Sequence, residues 1–353
     1  MEWPCGPQSQ RSLRMSILDT NSRRDFFKGS LGGAALWCAG GVTGALSAEA
    51  RAAESGAAAK SKVVVARDEK LRGAGPSVDS NRMLALIDRS MQTLFGRNHP
   101  TDPWRMLIRP GETVSLKVNS LGGRGISTNV QLIAAICRRL QESGVKPADI
   151  VIWDRDCSEL ERAGFRLAVG GDGVQCLGTD RIGYEQELSS YGSVGSRVSK
   201  ILTQRSNVLI NLPVLKDHDG AGITIALKNM YGVIHNPNKY HPNGCDPYVA
   251  DLNMLPEIRS RMRLTICDAT TAMYEGGPAY KPEHSWNANT LLVSQDPVAL
   301  DQIGWQMIER KRAEKGLKTL DAEERAPKYI ATAADAEHRL GNNDPKRISL
   351  VEV

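Results

Sequence analysis

The segment 211–234 holds the densest group of residues that could do chemistry. Lys216 and His218 follow an apolar run, and Thr224 and Lys228 come after a pair of glycines. Residues four apart share one face of a helix, and glycines that open a helix let backbone N–H groups approach an anion. The pattern therefore predicts a loop that leads into a helix and binds a carboxylate or a phosphate.

Three residues are candidates for catalysis. His218 titrates near neutral pH and suits a general acid or base, Asp268 could orient it or accept a proton, and Lys216 supplies a cation. Lys117, Lys216 and Lys228 are expected to hold the anion. The candidate substrate-binding residues are Lys117, Asn119, Asn211, Thr224, Lys228, Asn229 and Glu275.

A single transition metal is an open alternative. Its candidate ligands are His218, His241 and Asp268, because imidazole and carboxylate groups bind such ions. Cys245 also follows His241 closely, but turn-forming residues interrupt that segment and its spacing matches no zinc module. The sequence has no G-x-S-x-G motif, which disfavours a serine nucleophile. The cofactor is otherwise unknown.

Strands and helices alternate along the part of the chain that would position these residues. Near-continuous apolar strands between amphipathic helices predict an α/β fold, a mostly parallel sheet with helices on both faces. The expected strands are 62–66, 113–118, 149–153, 207–212, 264–267 and 291–293. Helices are expected over 79–94, from a Thr128/Gln131 capping box to Ser143, and from Asp296-Pro297 to about Arg310.

Several of these strands end in polar residues. Lys117 and Asn119 end the second strand, Asp154 follows the third, and Asp268 follows the strand over 264–267. Ligands bind beyond the carboxyl ends of parallel strands, where loops and helix N-termini converge. We therefore expect the candidate residues to meet at one edge of the sheet, although polar loops at both edges are also common in this fold class.

The chain divides into three parts. Residues 62–353 form a single large α/β domain, in which the Gly- and Ser-rich stretch 170–199 is a small insertion or a hairpin. Residues 51–61 have the composition of a linker. Residues 1–50 have the features of a signal peptide.

The leader resembles a twin-arginine (Tat) export signal. Arg23 and Arg24 precede two phenylalanines and a weakly apolar stretch, and an A-x-A pattern follows at 48–50. The stretch is too dilute in strongly apolar residues for a typical membrane span. We expect a periplasmic protein that meets the twin-arginine translocase during export, and membrane attachment only if the signal stays uncleaved.

Composition excludes several classes. Lys and Arg number 45 against 40 Asp and Glu, aromatic residues make up 5%, and no long basic run occurs, so we expect no nucleic-acid partner. A mean hydropathy of −0.33 argues against a multi-span membrane protein. Five cysteines follow the leader without any C-x-x-C pair, which disfavours a ferredoxin-type cluster or a zinc ribbon.

An ordered set of motifs resembles a known family. The motifs are K-V-N at 117–119, N-L-P-V-L-K-D-H at 211–218, T-I-A-L-K-N-M-Y-G at 224–232, I-C-D-A at 266–269, E-G-G-P at 275–278 and D-P-V-A-L-D at 296–301. Together they resemble the family called domain of unknown function 362, over about residues 63–353. Many members carry a ferredoxin-like segment, but this chain has no Cys-rich iron–sulfur insert. The resemblance implies where the site lies and names no reaction.

Three functions fit these observations. The first is a periplasmic enzyme that acts on a small anionic substrate, with or without a metal or redox cofactor. The second is a periplasmic binding or maturation protein that presents a ligand without turnover. The third is a redox partner with a noncovalent cofactor.

Overall fold

The computed structural model describes residues 60–72 and 77–353, which belong to one compact unit, Gly56–Val353. The predicted leader 1–50 lies outside the described residues. The strands are β1 Ser61–Arg67, β2 Val114–Val118, β3 Ile150–Asp154, β4 Gln175–Gly178, β5 Ser189–Tyr191, β6 Val194–Ser196, β7 Val208–Leu212, β8 Val214–His218, β9 Gly222–Thr224, β10 Met262–Met273, β11 Ser285–Trp286, β12 Thr290–Ser294 and β13 Ile348–Glu352.

Most strands form one sheet, in the order β13-β1-β12-β10-β7-β2-β3-β4. Along this path β12 is antiparallel to both neighbours, β1 and β10, and the other pairs are parallel. A branch adds β8, which runs parallel to β10 and pairs with β9. The fold is therefore α/β with a mostly parallel sheet, as the sequence predicts.

Helices cover both faces of this sheet. They are α1 Ser80–Phe95, α2 Asp102–Leu107, α3 Val130–Glu142, α4 Cys157–Ala163, α5 Thr179–Ile182, α6 Lys200–Gln204, α7 Ala226–Asn229, α8 Tyr248–Asn253, α9 Pro256–Arg259, α10 Pro297–Glu314 and α11 Tyr329–Ala334. Adjacent strand residues face opposite sides, so Val63 belongs to the core cluster that includes α8, α10 and α11, while Val64 belongs to the cluster that includes α1 and α3. Among the described residues, no helix is long and apolar enough to cross a membrane.

The start of α3 differs from the predicted capping box. Asn129 is the N-cap, and its side chain accepts a hydrogen bond from the Gln131 N–H. The Thr128 hydroxyl instead accepts from the Asn119 N–H and donates to the Leu212 carbonyl. Thr128 therefore ties together the loops that follow β2 and β7. The predicted N-cap of α10 is confirmed, because Asp296 accepts from the Ala299 N–H.

The segment after β7 also differs from its prediction. Lys216 and His218 lie in strand β8 rather than in a loop, and Thr224 lies in β9 rather than on a helix face with Lys228. The helix α7 that carries Lys228 has only four residues. Within 170–199 the structure contains a separate hairpin, β5 and β6, which fits one of the two expectations for that stretch.

Candidate functional site

A cavity of about 220 Å³ lies at the carboxyl ends of β2, β3 and β8. A cavity of this size fits a small ligand. Of the candidate residues, it is lined by Lys117, Asn119, Lys216, His218, Thr224, Lys228, Asn229 and His241. The structure therefore brings together residues that are up to 124 positions apart (241 − 117). We call it the lysine cavity.

Lys117 forms an ion pair with a carboxylate. Within the described residues, it is the only lysine of this cavity that does so. Its ammonium lies 2.7 Å from Asp154 Oδ1, and both side chains are buried. It also donates to the Val118 carbonyl and to Asn229 Oδ1, at 2.7 and 3.4 Å. Three acceptors thus take all three N–H groups of Lys117, as a buried ammonium requires.

A row of side-chain amides forms one wall of the lysine cavity. Lys216 Nζ donates to Asn119 Oδ1 at 3.2 Å, and Asn119 Nδ2 donates to Asn229 Oδ1 at 3.0 Å. Asn229 Nδ2 donates to Asn211 Oδ1 at 2.7 Å, and Asn211 Nδ2 donates to the Ala226 carbonyl at 2.8 Å. All the hydrogen bonds of this amide row point the same way. Asn211 lies at the back of the row rather than on the cavity surface.

Lys216 is only 1% exposed and has neutral partners. Besides Asn119, its Nζ donates to the Pro278 carbonyl at 3.3 Å, and it forms no ion pair with a carboxylate of residues 60–72 or 77–353. Burial disfavours the ammonium form and lowers the pKa of Lys216 to about 8. The charges of Asp154 and Glu159 oppose this shift, and those of Lys228 and Lys117 act in the same direction as burial.

Lys228 is 5% exposed and also lacks a carboxylate partner in the described part of the chain. Its Nζ lies 3.2 Å from His241 Nε2 and 4.2 Å from the centre of the Tyr231 ring. His241 Nδ1 lies 3.1 Å from the Pro237 carbonyl, to which it can only donate, so its Nε2 is the acceptor for Lys228. Burial lowers the pKa of Lys228 to about 8.

His218 is held as a neutral ring. Its Nδ1 accepts from the Gly220 N–H at 3.2 Å, which places the proton of the neutral ring on Nε2. Its ring stacks on that of His241, with centroids 5.7 Å apart. Burial, followed by the charge of Lys228, lowers the pKa of His218 far below its ordinary value. His218 thus offers a hydrogen-bond donor rather than a cation.

The short helix α7 is fixed by a carboxylate from α10. Asp301 Oδ1 accepts from the Ala226 N–H at 2.6 Å, and Oδ2 accepts from the Leu227 N–H at 3.1 Å. These donors are thus taken, which corrects the expectation that the helix N-terminus binds the anion. Instead, Asp301 positions the two helix residues that line the cavity, Lys228 and Asn229.

The structure does not place Asp268 in the lysine cavity. Its carboxylate accepts from the Asn129 N–H at 2.6 Å and from the Thr270 N–H at 2.8 Å, and its side chain is buried in the fold. Burial raises the pKa of Asp268, whereas these two hydrogen bonds lower it. Asp268 therefore connects β10 to the start of α3 and does not join His218.

Glu275 also lies apart from the cavity lining. Its carboxylate pairs with Arg312 and, at 3.3 Å, with Arg325. Arg325 also pairs with Asp217 and Asp219, at 3.1 and 3.4 Å. The guanidinium groups thus neutralise this acidic cluster, and Glu275 stabilises the loop that precedes Pro278.

The described residues do not assemble the predicted metal ligands His218, His241 and Asp268. A set of three potential ligand atoms within 4.8 Å of one another occurs at Asp217, Asp219 and Glu275 instead. Arg325 pairs with all three carboxylates, so we do not interpret the cluster as a metal site. His241 Nε2 faces Lys228, and an ammonium next to that nitrogen opposes a metal ion there.

Several cavity residues are absent from the predicted set. Asp154 is the last residue of β3 and Arg155 follows it, and this position at a strand end is a signal that the sequence does carry. Glu159 and Tyr231 enter from α4 and from the turn after α7, with no comparable signal. Pro278 contributes its backbone carbonyl, which no side-chain pattern reveals.

The five cysteines of the described residues do not contribute to the cavity lining. Cys137, Cys157, Cys176, Cys245 and Cys267 are all free thiols. Burial raises the pKa of Cys137 to about 12 and that of Cys267 above its ordinary value, as is typical of inert, buried thiols.

Comparison with known proteins gives one relative with similar sequence and partial structural likenesses. A thylakoid-associated protein of Synechocystis is 25% identical over 259 residues, which cover 70% of this chain and 76% of that protein. A Thermotoga maritima protein gives a TM-score of 0.41 at 9% identity, covering 69% of this chain and 60% of that one. The lactate racemase apoprotein of Thermoanaerobacterium thermosaccharolyticum gives 0.38 at 10% identity, covering 67% and 55%.

The family model matches one long stretch of the chain, which contains most of the motifs described above. It spans residues 114–306, from β2 into α10, and so includes the cavity-lining strands and the helix that carries Asp301. The match covers more than half of the chain, and its description records no function. This protein belongs to the family described as Domain of unknown function (DUF362).

Proposed function

We propose that this protein is an enzyme that binds a small substrate bearing a carboxylate or a phosphate in the lysine cavity. One observation carries the proposal: Lys216 and Lys228 are buried in one cavity without a carboxylate partner among the described residues. Buried lysines are rare unless they are paired. An anionic group on the substrate supplies the missing charge.

The energetics favour an anion of small size. Burying an ammonium costs several kcal/mol unless an opposite charge is close. Charge-assisted hydrogen bonds from Lys228 and from His218 Nε2 would offset part of that cost when the anion binds. Thr224 and Asn229 line the same space and provide further polar groups.

Catalytic roles follow from the protonation states. Lys216, with its lowered pKa, can give or take a proton near neutral pH, and His218 can donate from Nε2 to a substrate oxygen. Lys117 stays paired to Asp154 and supports the amide row. We also propose that the chain is exported by the twin-arginine route to the periplasm, on the basis of its leader residues.

Calorimetric titration with sulfate and with acetate tests the binding site. We expect Lys228→Met to weaken the binding of both anions at least about tenfold, because one charge-assisted hydrogen bond is lost. The matched control is Lys146→Met, which removes an exposed lysine outside the cavity and should leave the affinity unchanged.

Two outcomes would contradict the proposal. One is a wild-type protein that binds neither anion, and the other is a folded Lys228→Met variant that binds them as the wild type does. Circular dichroism establishes that each variant is folded before its affinity is compared.

A further inference from the structure

The hydrogen bonds of Lys216 differ from those of Lys117, which forms an ion pair with Asp154. Lys117, in the same cavity, has three acceptors, one of them a carboxylate. Lys216 has two acceptors, the Asn119 side-chain oxygen and the Pro278 carbonyl, and both are neutral. The chain thus provides for two N–H groups on Lys216, which is the number that a neutral amine carries.

Beyond its two hydrogen bonds, Lys216 Nζ has one further position, which holds either a third proton or a lone pair. A neutral amine has two N–H groups and one lone pair, so two acceptors leave the lone pair free. Lys216 lines the lysine cavity together with Lys228 and Glu159. A free lone pair on an amine next to other cations is the usual state of a nucleophilic lysine.

The surroundings of Lys216 raise its neutral fraction. Burial is the main cause that brings its pKa to about 8; the charges of Lys228 and Lys117 add to it, and those of Asp154 and Glu159 oppose it. At pH 7 such a lysine is neutral in roughly one molecule in ten, against roughly one in three thousand for an exposed lysine. The two neutral acceptors and the lowered pKa thus both make the neutral amine more accessible than in an exposed lysine.

We propose that Lys216 is a nucleophile that forms a Schiff base with the carbonyl carbon of a small oxo acid whose carboxylate is held by Lys228. This inference rests on the proposed function, since it uses the same cavity and the same anion site. It adds the substrate class, a compound with a carbonyl next to or near a carboxylate. The small volume of the cavity favours short-chain oxo acids.

The bonds and protons of this step balance. The Nζ lone pair of Lys216 forms the N–C bond while the π pair of the carbonyl moves to oxygen, and one proton passes from nitrogen to that oxygen. The carboxyl of Glu159, whose pKa is raised by burial, gives a second proton, and the oxygen leaves as water. The nitrogen lone pair then forms the C=N bond, leaving a protonated Schiff base and a Glu159 carboxylate.

Glu159 is suited to this role by its surroundings. Its carboxyl lines the cavity and makes no hydrogen bond or ion pair with another residue in the described ranges. Asp154, by contrast, is occupied by Lys117, by the Arg155 N–H and by Ser120. Glu159 is therefore the cavity carboxyl that is free to transfer a proton.

Borohydride trapping tests the proposal. The protein is incubated with glyoxylate or pyruvate, reduced with sodium borohydride, digested, and mapped by peptide mass spectrometry. We expect one reduced adduct on Lys216, at least about tenfold more abundant than on the exposed Lys146. Lys216→Met should abolish this adduct, whereas Lys146→Met should keep it.

A second measurement does not depend on the folding of a variant. Excess sulfate should protect Lys216 of the wild-type protein from trapping, because it occupies the anion site. Equal labelling of Lys216 and Lys146, or labelling of Lys216 that sulfate does not reduce, overturns the proposal.

The two proposals can fail separately. If the protein binds sulfate and acetate but gives no adduct on Lys216, the Schiff base is wrong and the anion site stands. If it gives no adduct and binds neither anion, the anion site is wrong as well.

Discussion

Lys216 and Lys228 set the pH behaviour of the candidate site. Both have a pKa lowered to about 8 by burial, from an ordinary value of 10.5. In the folded protein they lose their protons at lower pH than in the unfolded chain. The free energy of unfolding of the ligand-free protein therefore rises between about pH 8 and pH 10.5, because deprotonation removes the cost of burying these two charges.

Anion affinity should change in the opposite sense. As pH rises through about 8, Lys216 and Lys228 become neutral, so sulfate affinity should fall by up to about tenfold per pH unit for each lysine that must be charged. Sulfate keeps its charge over this range. Calorimetric titration between about pH 7 and pH 9.5 measures the slope.

A bound anion also favours the protonated lysines. Binding at about pH 8.5 should therefore take up protons, which appears as a heat that depends on the ionisation enthalpy of the buffer. An affinity that stays constant from about pH 7 to pH 9.5, with no proton uptake, would show that neither lysine contacts the anion.

Residue types and strand ends predict part of the site. These signals predict that three lysines meet at one edge of the sheet. The structure brings all three, Lys117, Lys216 and Lys228, into one cavity. Asp268 also follows the apolar core of a strand, but backbone N–H groups from Asn129 and Thr270 take its carboxylate. Such contacts depend on segments that are far apart in the sequence, so the local spacing of residues does not predict them.

At the scale of elements, α7 depends on α10. A four-residue helix has little stability of its own, because nucleation is unfavourable and few backbone hydrogen bonds form. Asp301 fixes its start by accepting from two backbone N–H groups. A substitution at Asp301 should therefore act on ligand binding through Lys228 and Asn229.

We expect Asp301→Asn to weaken sulfate binding about three- to tenfold, although Asp301 does not line the cavity. The amide keeps one acceptor oxygen, so only one of the two N–H groups keeps its bond. Calorimetry gives the affinity, and urea unfolding gives the stability of the same variant.

A second N-cap provides the matched control. Asp79 caps α1 by accepting from the Arg82 N–H, and this helix does not contribute to the cavity lining. Asp79→Asn should change the free energy of unfolding by about 1 kcal/mol or less and leave sulfate affinity unchanged. If both variants lost the same affinity, the effect of Asp301 would be one of general stability.

Helices and strands with strong periodicity are predictable from the sequence, and the junctions between them are less so. The helix at 79–94 and the strand at 207–212 agree with α1 and β7 to within one residue at each end. Residues 214–224 form two strands because β8 pairs with the distant strand β10, which the glycines and lysines of the segment do not indicate. The prediction that Thr128 caps α3 is wrong, because its hydroxyl forms hydrogen bonds with the neighbouring loops instead.

At the scale of the whole molecule, sheet order explains why the site is where it is. Parallel pairing of β10, β7, β2 and β3 sends their carboxyl ends to one edge, where residues from several motifs meet. Alternation of strands and helices predicts this class of sheet. The position of β12 as an antiparallel strand within it is not encoded in the apolar run 291–293.

The predicted export signal lies within residues 1–50, outside the described residues, so its test uses the full chain. Replacing Arg23 and Arg24 together by lysine should abolish the appearance of the protein in the periplasm, because the paired arginines carry the resemblance to a twin-arginine signal. Cell fractionation followed by immunoblotting measures the distribution of precursor and exported protein.

The leader contains its own control pair. Arg11 and Arg14 precede the twin-arginine segment, and replacing both by lysine should leave export intact. Periplasmic protein at wild-type levels after replacement of Arg23 and Arg24 would rule out this route.

The common direction of the hydrogen bonds in the amide row affects how Lys216 can change its charge. An amine and an ammonium both present N–H groups to Asn119, so gain or loss of a proton at Lys216 requires no reversal of the amides behind it. The wall can then keep its geometry through a catalytic cycle in which that nitrogen changes charge. In the reaction proposed at Lys216, such a scaffold would lower the reorganisation energy, since the dipoles are already oriented before the proton moves.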